Sequence, residues 1–247
     1  MTDAVARGYL AHTAELIARL ADEQGAAISA AAEMVARTLV ADGLVHVFGS
    51  GHSHLLALEG FYRAGGLAAV DPILLESLML HGNAALSTVI ERSEGLGAGI
   101  LADLDPGAAD CLIVISNSGG NRVAVELAAA ARERGVPVIA IVSAAHAGSA
   151  QAAQADKPSL LGVADVVIDN LGEAGDASVT VEGIPARMGP TSTVVGAAII
   201  HAISVEAAAR AVAAGAPPAV FASSNVAGGD ARNAASIARY RGRVRSL

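Results

Sequence analysis

Residues 45–54 read VHVFGSGHSH, in which an apolar run that spans Leu44–Phe48 passes directly into glycine, hydroxyl and imidazole side chains. An apolar run without polar alternation is the pattern of a strand covered on both faces, and such strands belong to parallel sheets flanked by helices. Its end at Gly49-Ser50-Gly51 marks a place where an open parallel sheet offers loop amides to a ligand beyond the carboxyl ends of its strands.

Four further apolar runs, at 67–70, 111–115, 136–142 and 163–168, are separated by helix-length segments that permit parallel crossovers. Upstream, Tyr9, Leu10, Leu16, Ile17 and Leu20 recur at helical spacing. Ile28, Ala31, Val35, Thr38 and Leu39 repeat that spacing after Gly25, and Asp42-Gly43 ends the second helix, with the glycine free to take a left-handed cap. The pattern predicts an α/β protein of three layers: a five-stranded parallel sheet with helices on both faces, an N-terminal helical pair over 1–43, and one structural unit over 44–247. Segments 76–93 and 170–189 read as long polar loops able to form a site. Residues 177–183 alternate in the manner of a small extra strand or hairpin, and Gly189-Pro190-Thr191-Ser192-Thr193 opens a long helix through about Ala214.

Composition narrows the function. The 247 residues are 53% hydrophobic and 2% aromatic, with no Trp, so the core is built of Ala, Val, Leu and Ile. The net charge of −8 includes a single lysine, Lys157. The short basic tail from Arg239 to Arg245 reads as a helix cap with ion pairs, and no nucleic-acid partner is expected. Cys111 stands alone, which excludes a disulfide framework and a cysteine metal cluster. No signal segment is apparent and no window reads as long and charge-free enough to span a bilayer, so the expectation is a cytoplasmic protein without a membrane partner.

Two strand ends carry tailored loops: Gly49-Ser50-Gly51-His52-Ser53-His54, and Ser116-Asn117-Ser118-Gly119-Gly120-Asn121 leading into a helix from Arg122 to Arg134. A nicotinamide cofactor fits poorly although Asp71 lies at a suitable distance for a ribose hydroxyl, because His54 replaces the third glycine of that fingerprint. A nucleoside triphosphate fits poorly because no lysine follows either loop. Hydroxyl and amide donors without fixed charge suit one phosphate monoester on a small molecule.

On these residues the sequence resembles the SIS-domain phosphosugar isomerase and phosphosugar-binding family. The pair FGSGHSH and ISNSGGN carries the resemblance, with Phe61-Tyr62-Arg63-Ala64-Gly65-Gly66, the 189–193 stretch and Ser224-Asn225-Val226-Ala227-Gly228-Gly229-Asp230 resembling one branch of it. The resemblance implies a flavodoxin-like fold, homodimers with sites near the subunit interface, and phosphate held by Ser53, Ser116, Ser118 and the amides of Gly119, Gly120 and Asn121. It also implies a catalytic histidine on the late helix, His201, and a carboxylate on the helix after the first loop, for which Glu59 stands in suitable reach.

Ser50, Gly51, His52, His54, His81, Glu91, Arg92, Thr191 and Ser192 are the candidate sugar contacts. His52, His54 and His81 also have the composition of a zinc site, but no acidic or thiol fourth ligand accompanies them, so neither a metal nor another cofactor is expected. The Schiff-base lysine of glucosamine 6-phosphate synthase has no counterpart here. The expected function is a lyase or dehydratase acting on an N-acetylhexosamine 6-phosphate such as N-acetylglucosamine 6-phosphate. Aldose–ketose isomerisation and a non-catalytic phosphosugar sensor are the alternatives.

Overall fold

The computed structural model describes residues 3–152 and 158–247. Helices α1 (Asp3–Glu23) and α2 (Gly25–Val40) precede β1 (Val45–Gly49). A 3-10 turn over Gly51–Ser53 leads into α3 (His54–Gly60), followed by β2 (Val70–Ile73). Next come α4 (Leu80–Ile90), α5 (Leu96–Leu104), β3 (Cys111–Ile115) and α6 (Arg122–Glu133). β4 (Val138–Val142), α7 (Ala144–Ala152), the single turn α8 (Leu160–Val163) and β5 (Val166–Asp169) complete the alternation. The described chain closes with α9 (Ser192–Ala213) and α10 (Gly229–Tyr240).

The five strands lie in the order β2-β1-β3-β4-β5 and every pairing is parallel. Successive side chains leave opposite faces of each strand. Val45, Val47, Cys111, Ile113, Ile115 and Ile139 join one core with α1, α2, α3 and α9. Phe48, Leu112, Val114, Val138, Ala140 and Val142 join a second core with α5, α6 and α8. That double coverage is why the strands lack polar alternation. The order reverses between β1 and β3, which places a switch point beside the two tailored loops.

Several expectations are corrected. The second strand spans Val70–Ile73, not 67–70; Leu67 forms an isolated antiparallel bridge with Val220 instead. Asp71-Pro72 looks unlike strand, but β2 is at the sheet edge, where a missing N–H is tolerated, and His46 on β1 holds the buried Asp71. Segment 76–93 is largely helix: a 3-10 turn over Glu76–Leu78 and then α4, kinked at Asn83. Residues 177–183 contribute one antiparallel bridge, Val179 to Met188. Asp42, with φ 55°, takes the left-handed position after α2. Gly43 serves instead to admit the Ala109 backbone, which a β-carbon would strike. Finally, α9 is long and apolar enough by composition to cross a membrane. Its apolar stripe, including Val195, Ile199, Ile200 and Ile203, is buried in the first core.

Away from the switch point, His46 is almost fully buried between two carboxylates. Its Nδ1 lies 2.9 Å from Asp71 Oδ2 and its Nε2 lies 3.1 Å from Asp110 Oδ2. Asp71 Oδ1 also accepts the Arg245 N–H, and Asp110 accepts the N–H groups of Leu44 and Gly107. The basic tail is paired within the molecule: Arg239 and Arg243 reach Asp42, and Arg245 reaches Asp103.

Candidate functional site

Both loops leave the carboxyl ends of adjacent strands, β1 and β3. The first turns sharply because Gly49 has no β-carbon: one placed there would lie 2.5 Å from the Ser53 carbonyl. Gly51 takes a positive φ of 57°. His54 is buried at the start of α3, and its Nδ1 is hydrogen-bonded to the Gly51 carbonyl, so that imidazole fixes the turn. His52 points to solvent beside it.

In the second loop Gly119, with φ 64°, closes on the Ser116 carbonyl through its N–H at 2.9 Å. Asn121 is the N-cap of α6. The loops are tied together: Asn121 Nδ2 donates to Ser50 Oγ at 3.1 Å, and Ser50 Oγ donates to Glu91 Oε2 at 2.9 Å. Ser50, Asn121 and Glu91 are thereby committed to one another. Among the described residues the hydroxyls of Ser53, Ser116 and Ser118 make no hydrogen bond, which leaves them available to a ligand.

Ser53, Leu56, Ile115, Asn117, Ile141, Asn170, Ser192 and Thr193 line a cleft at this switch point. It is narrow, about 10 Å³, room for roughly one water. Thr191 is buried behind it. The larger concavity, about 420 Å³, lies between β2 and α5; its charged members Asp103 and Arg245 pair with each other. Size alone does not mark the chemistry: the Ser53, Ser192 and Thr193 hydroxyls and the Asn117 and Asn170 amides line the small cleft at the switch point, with Ser116, Ser118, Gly119, Gly120 and Asn121 in the adjoining loop and outside its lining.

The candidate acid–base residues also meet. His201 Nε2 lies 2.9 Å from Glu59 Oε1, with the side chains 38% and 34% exposed. Arg63, one turn after Glu59, bonds to the same carboxylate oxygen. Partial burial, assisted by the Arg63 charge, lowers the His201 pKa from the ordinary imidazole value, which favours a neutral ring. The pair and the cleft do not share one cavity. Eight helical residues, about 12 Å, separate Thr193 from His201, and Leu56 packs against Gly196 between them. Both lie on the seam where α3 crosses α9.

His81 and Arg92 are exposed, at the start of α4 and just beyond its end. Among the described residues no three His, Cys, Asp or Glu side chains gather as metal ligands, so His52, His54 and His81 do not converge. Sequence reasoning missed Arg63, Asn117, Asn170 and Asp176. Arg63 was legible as a residue four positions after Glu59, and Asn117 lies inside the quoted loop. Asn170 follows the β5 strand end, where its Nδ2 donates to Asn117 Oδ1 at 2.8 Å. Asp176, which accepts the N–H groups of Thr191 and Ser192 and the Ser192 hydroxyl at the start of α9, gave no sequence signal, because these contacts depend on how the 170–191 segment folds back.

The SIS domain family matches residues 8–143. A UPF0309 protein of Listeria monocytogenes serotype 4b is 40% identical across 96% of each chain. A UPF0309 protein of Brucella anthropi is 42% identical across 93% of this chain and 94% of its own. Among solved structures, a candidate phosphosugar isomerase involved in capsule formation in Bacteroides fragilis has a TM-score of 0.52 at 22% identity, covering 85% of this chain and 91% of that one. This last similarity concerns the fold.

Proposed function

The chain belongs to the SIS-domain family, and from that premise we propose that it is a phosphosugar-processing enzyme that removes the proton beside a sugar's carbonyl carbon. The observation that carries the reading is the Glu59–His201 pair at 2.9 Å, set on the same α3–α9 seam as the hydroxyl-lined cleft. The free hydroxyls of Ser53, Ser116 and Ser118, the Gly120 amide and the amino end of α6 supply uncharged donors for one phosphoryl group, while the Gly119 N–H is spent on the Ser116 carbonyl. Binding widens the cleft, since the phosphoryl group is larger than the space between its walls. The carbon chain extends along the seam toward Glu59, the base, and the one N–H of neutral His201 turns from Glu59 to the carbonyl oxygen as the enolate forms. Arg63 holds the carboxylate in place.

The substrate we favour is an N-acetylhexosamine 6-phosphate, whose C3 hydroxyl then leaves as water, carrying the proton that Glu59 removed from C2 while the C2–C3 double bond forms. An acetylated nitrogen at C2 blocks ketose formation, and no lysine stands on the described α3–α9 seam for Schiff-base chemistry. We further propose that the protein works as a homodimer, which light scattering tests. Incubation with N-acetylglucosamine 6-phosphate in D₂O provides the decisive assay. Expected are deuterium exchange at C2 of the recovered substrate and a product lighter by one water, both falling by about 10²–10⁴-fold in Glu59→Gln. Isomerisation of a simple hexose phosphate, with N-acetylglucosamine 6-phosphate unchanged, rejects elimination and retains the proton transfer. Tight binding without exchange on any sugar phosphate identifies a sensor.

A further inference from the structure

The hydroxyl of Ser50, in the first of the two loops, is held by a carboxylate that belongs to neither. Glu91 follows α4, and its Oε2 accepts the Ser50 hydroxyl at 2.9 Å, while Asn121, the N-cap of α6, donates to the same Ser50 oxygen. The Glu91 backbone carbonyl accepts the Val123 N–H, in the first turn of α6, at 3.3 Å. A negative charge of the protein's own therefore already stands at the donors that a phosphoryl group would take.

The helix that delivers Glu91 is lightly anchored. Within α4 only Ser87 is buried, Leu86 and Val89 are exposed, and the backbone leaves helical geometry at Asn83 (φ −158°, ψ 105°). α4 bears on the 3-10 turn over Gly51–Ser53, with Leu80 beside Gly51. Through that turn it braces Ser53, one wall of a cleft too narrow for a phosphoryl group.

A hydroxyl has one hydrogen, so Ser50 cannot serve Glu91 and a phosphoryl oxygen together. A phosphoryl group on the loop from Ser116 to Asn121 also brings its charge up to the Glu91 carboxylate, and like charges at that range repel. Resting on the phosphosugar reading above, we infer that Glu91 is an autoinhibitory latch: it competes with the ligand's phosphoryl group for Ser50 and the amino end of α6, and binding releases α4 from the first loop. The Ser50 hydroxyl then passes from the carboxylate to a phosphoryl oxygen. The first loop, no longer braced by α4, draws back and widens the cleft. Glu91 thereby weakens every phosphorylated ligand alike, whatever its sugar.

Calorimetric titration of the full chain with inorganic phosphate, glucosamine 6-phosphate and N-acetylglucosamine 6-phosphate tests this. Glu91→Gln keeps the shape of the side chain and removes its charge, and it should tighten all three by about tenfold. Glu94→Gln removes an exposed carboxylate that pairs with Arg122 at the same end of α6, and it should change them by less than about twofold. Unchanged or weaker binding of phosphate by Glu91→Gln overturns the inference. So does an equal gain in Glu94→Gln, which makes the effect one of net charge. If Glu91→Gln does not fold, hydrogen exchange of the wild type decides. Saturation with the tightest of the three ligands should speed exchange of the amides over 84–92 by about tenfold, and slowed or unchanged exchange there overturns the inference. Wild type and Glu91→Gln that both take none of the three overturn the reading of the cleft, and this inference with it, a result distinct from the others.

Discussion

At the scale of single residues, His46 faces a carboxylate with each ring nitrogen, so both nitrogens must carry hydrogen for both contacts to be favourable. Burial alone would lower its pKa, but the hydrogen bonds to Asp110 and Asp71 together raise it above the ordinary value of 6.5. The linkage has a definite sign: this stabilisation is complete below pH 6.5 and is lost as pH climbs through the raised folded value. Asp110 is held below the ordinary carboxylate value against the opposing effect of burial, by His46 and by the Leu44 and Gly107 amides, so its contribution disappears only on acidification below pH 3.8. Thermal unfolding followed from pH 5 to 9 should therefore show a falling Tm on the alkaline side, and His46→Gln should flatten that slope. At pH 6 the substitution should cost on the order of 3 kcal/mol, because the buried Asp71 and the partly buried Asp110 lose their cation. Cys111 is the opposite case, a thiol that burial pushes up to about 12. It should resist maleimide in the folded protein and react on denaturation, which thiol titration measures.

At the scale of elements, α5 and α6 touch so closely at Gly97 that a β-carbon there would lie 2.6 Å from the Leu127 amide nitrogen and would strike the Val123 carbonyl. Backbone cannot rotate aside as a side chain can, so Gly97→Ala should destabilise the fold by about 1–3 kcal/mol, read as a lower urea midpoint with an unchanged slope. The same contrast between local and distant causes governs what the sequence disclosed. Cys111–Ile115 was legible to the residue because its apolar run is a local property of a central strand. The edge strand was displaced by three residues because Asp71 is stabilised by His46, a partner 25 residues away. α4 was hidden by Gly82 and Asn83, which interrupt its helical pattern at the kink. At the site, the two glycine turns and the Glu59–His201 candidates were readable. The Ser50–Asn121–Glu91 bonds and the Asp176 contacts join segments that adjacency in the chain does not reveal.

At the scale of the molecule, two cores share one sheet, and α2 and α9 pack against each other on the same face. The closing segment crosses to the other end of the sheet from the cleft, with Val244 buried in the first core and Arg239 and Arg243 on the Asp42 turn. These ion pairs are exposed, so Asp42→Ala should change stability by no more than about 1 kcal/mol, far less than His46→Gln, in parallel denaturation curves. The larger anchor is the Arg245 N–H on Asp71, a contact spanning 174 positions of chain. On a ribosome, β1 and β2 emerge early, yet the rim they form stays unsealed until the segment around Arg245 has cleared the exit tunnel. Nascent chains stalled before that point should expose Asp71 and the edge of β2 to chaperones, while chains in which Arg245 has docked hide the carboxylate.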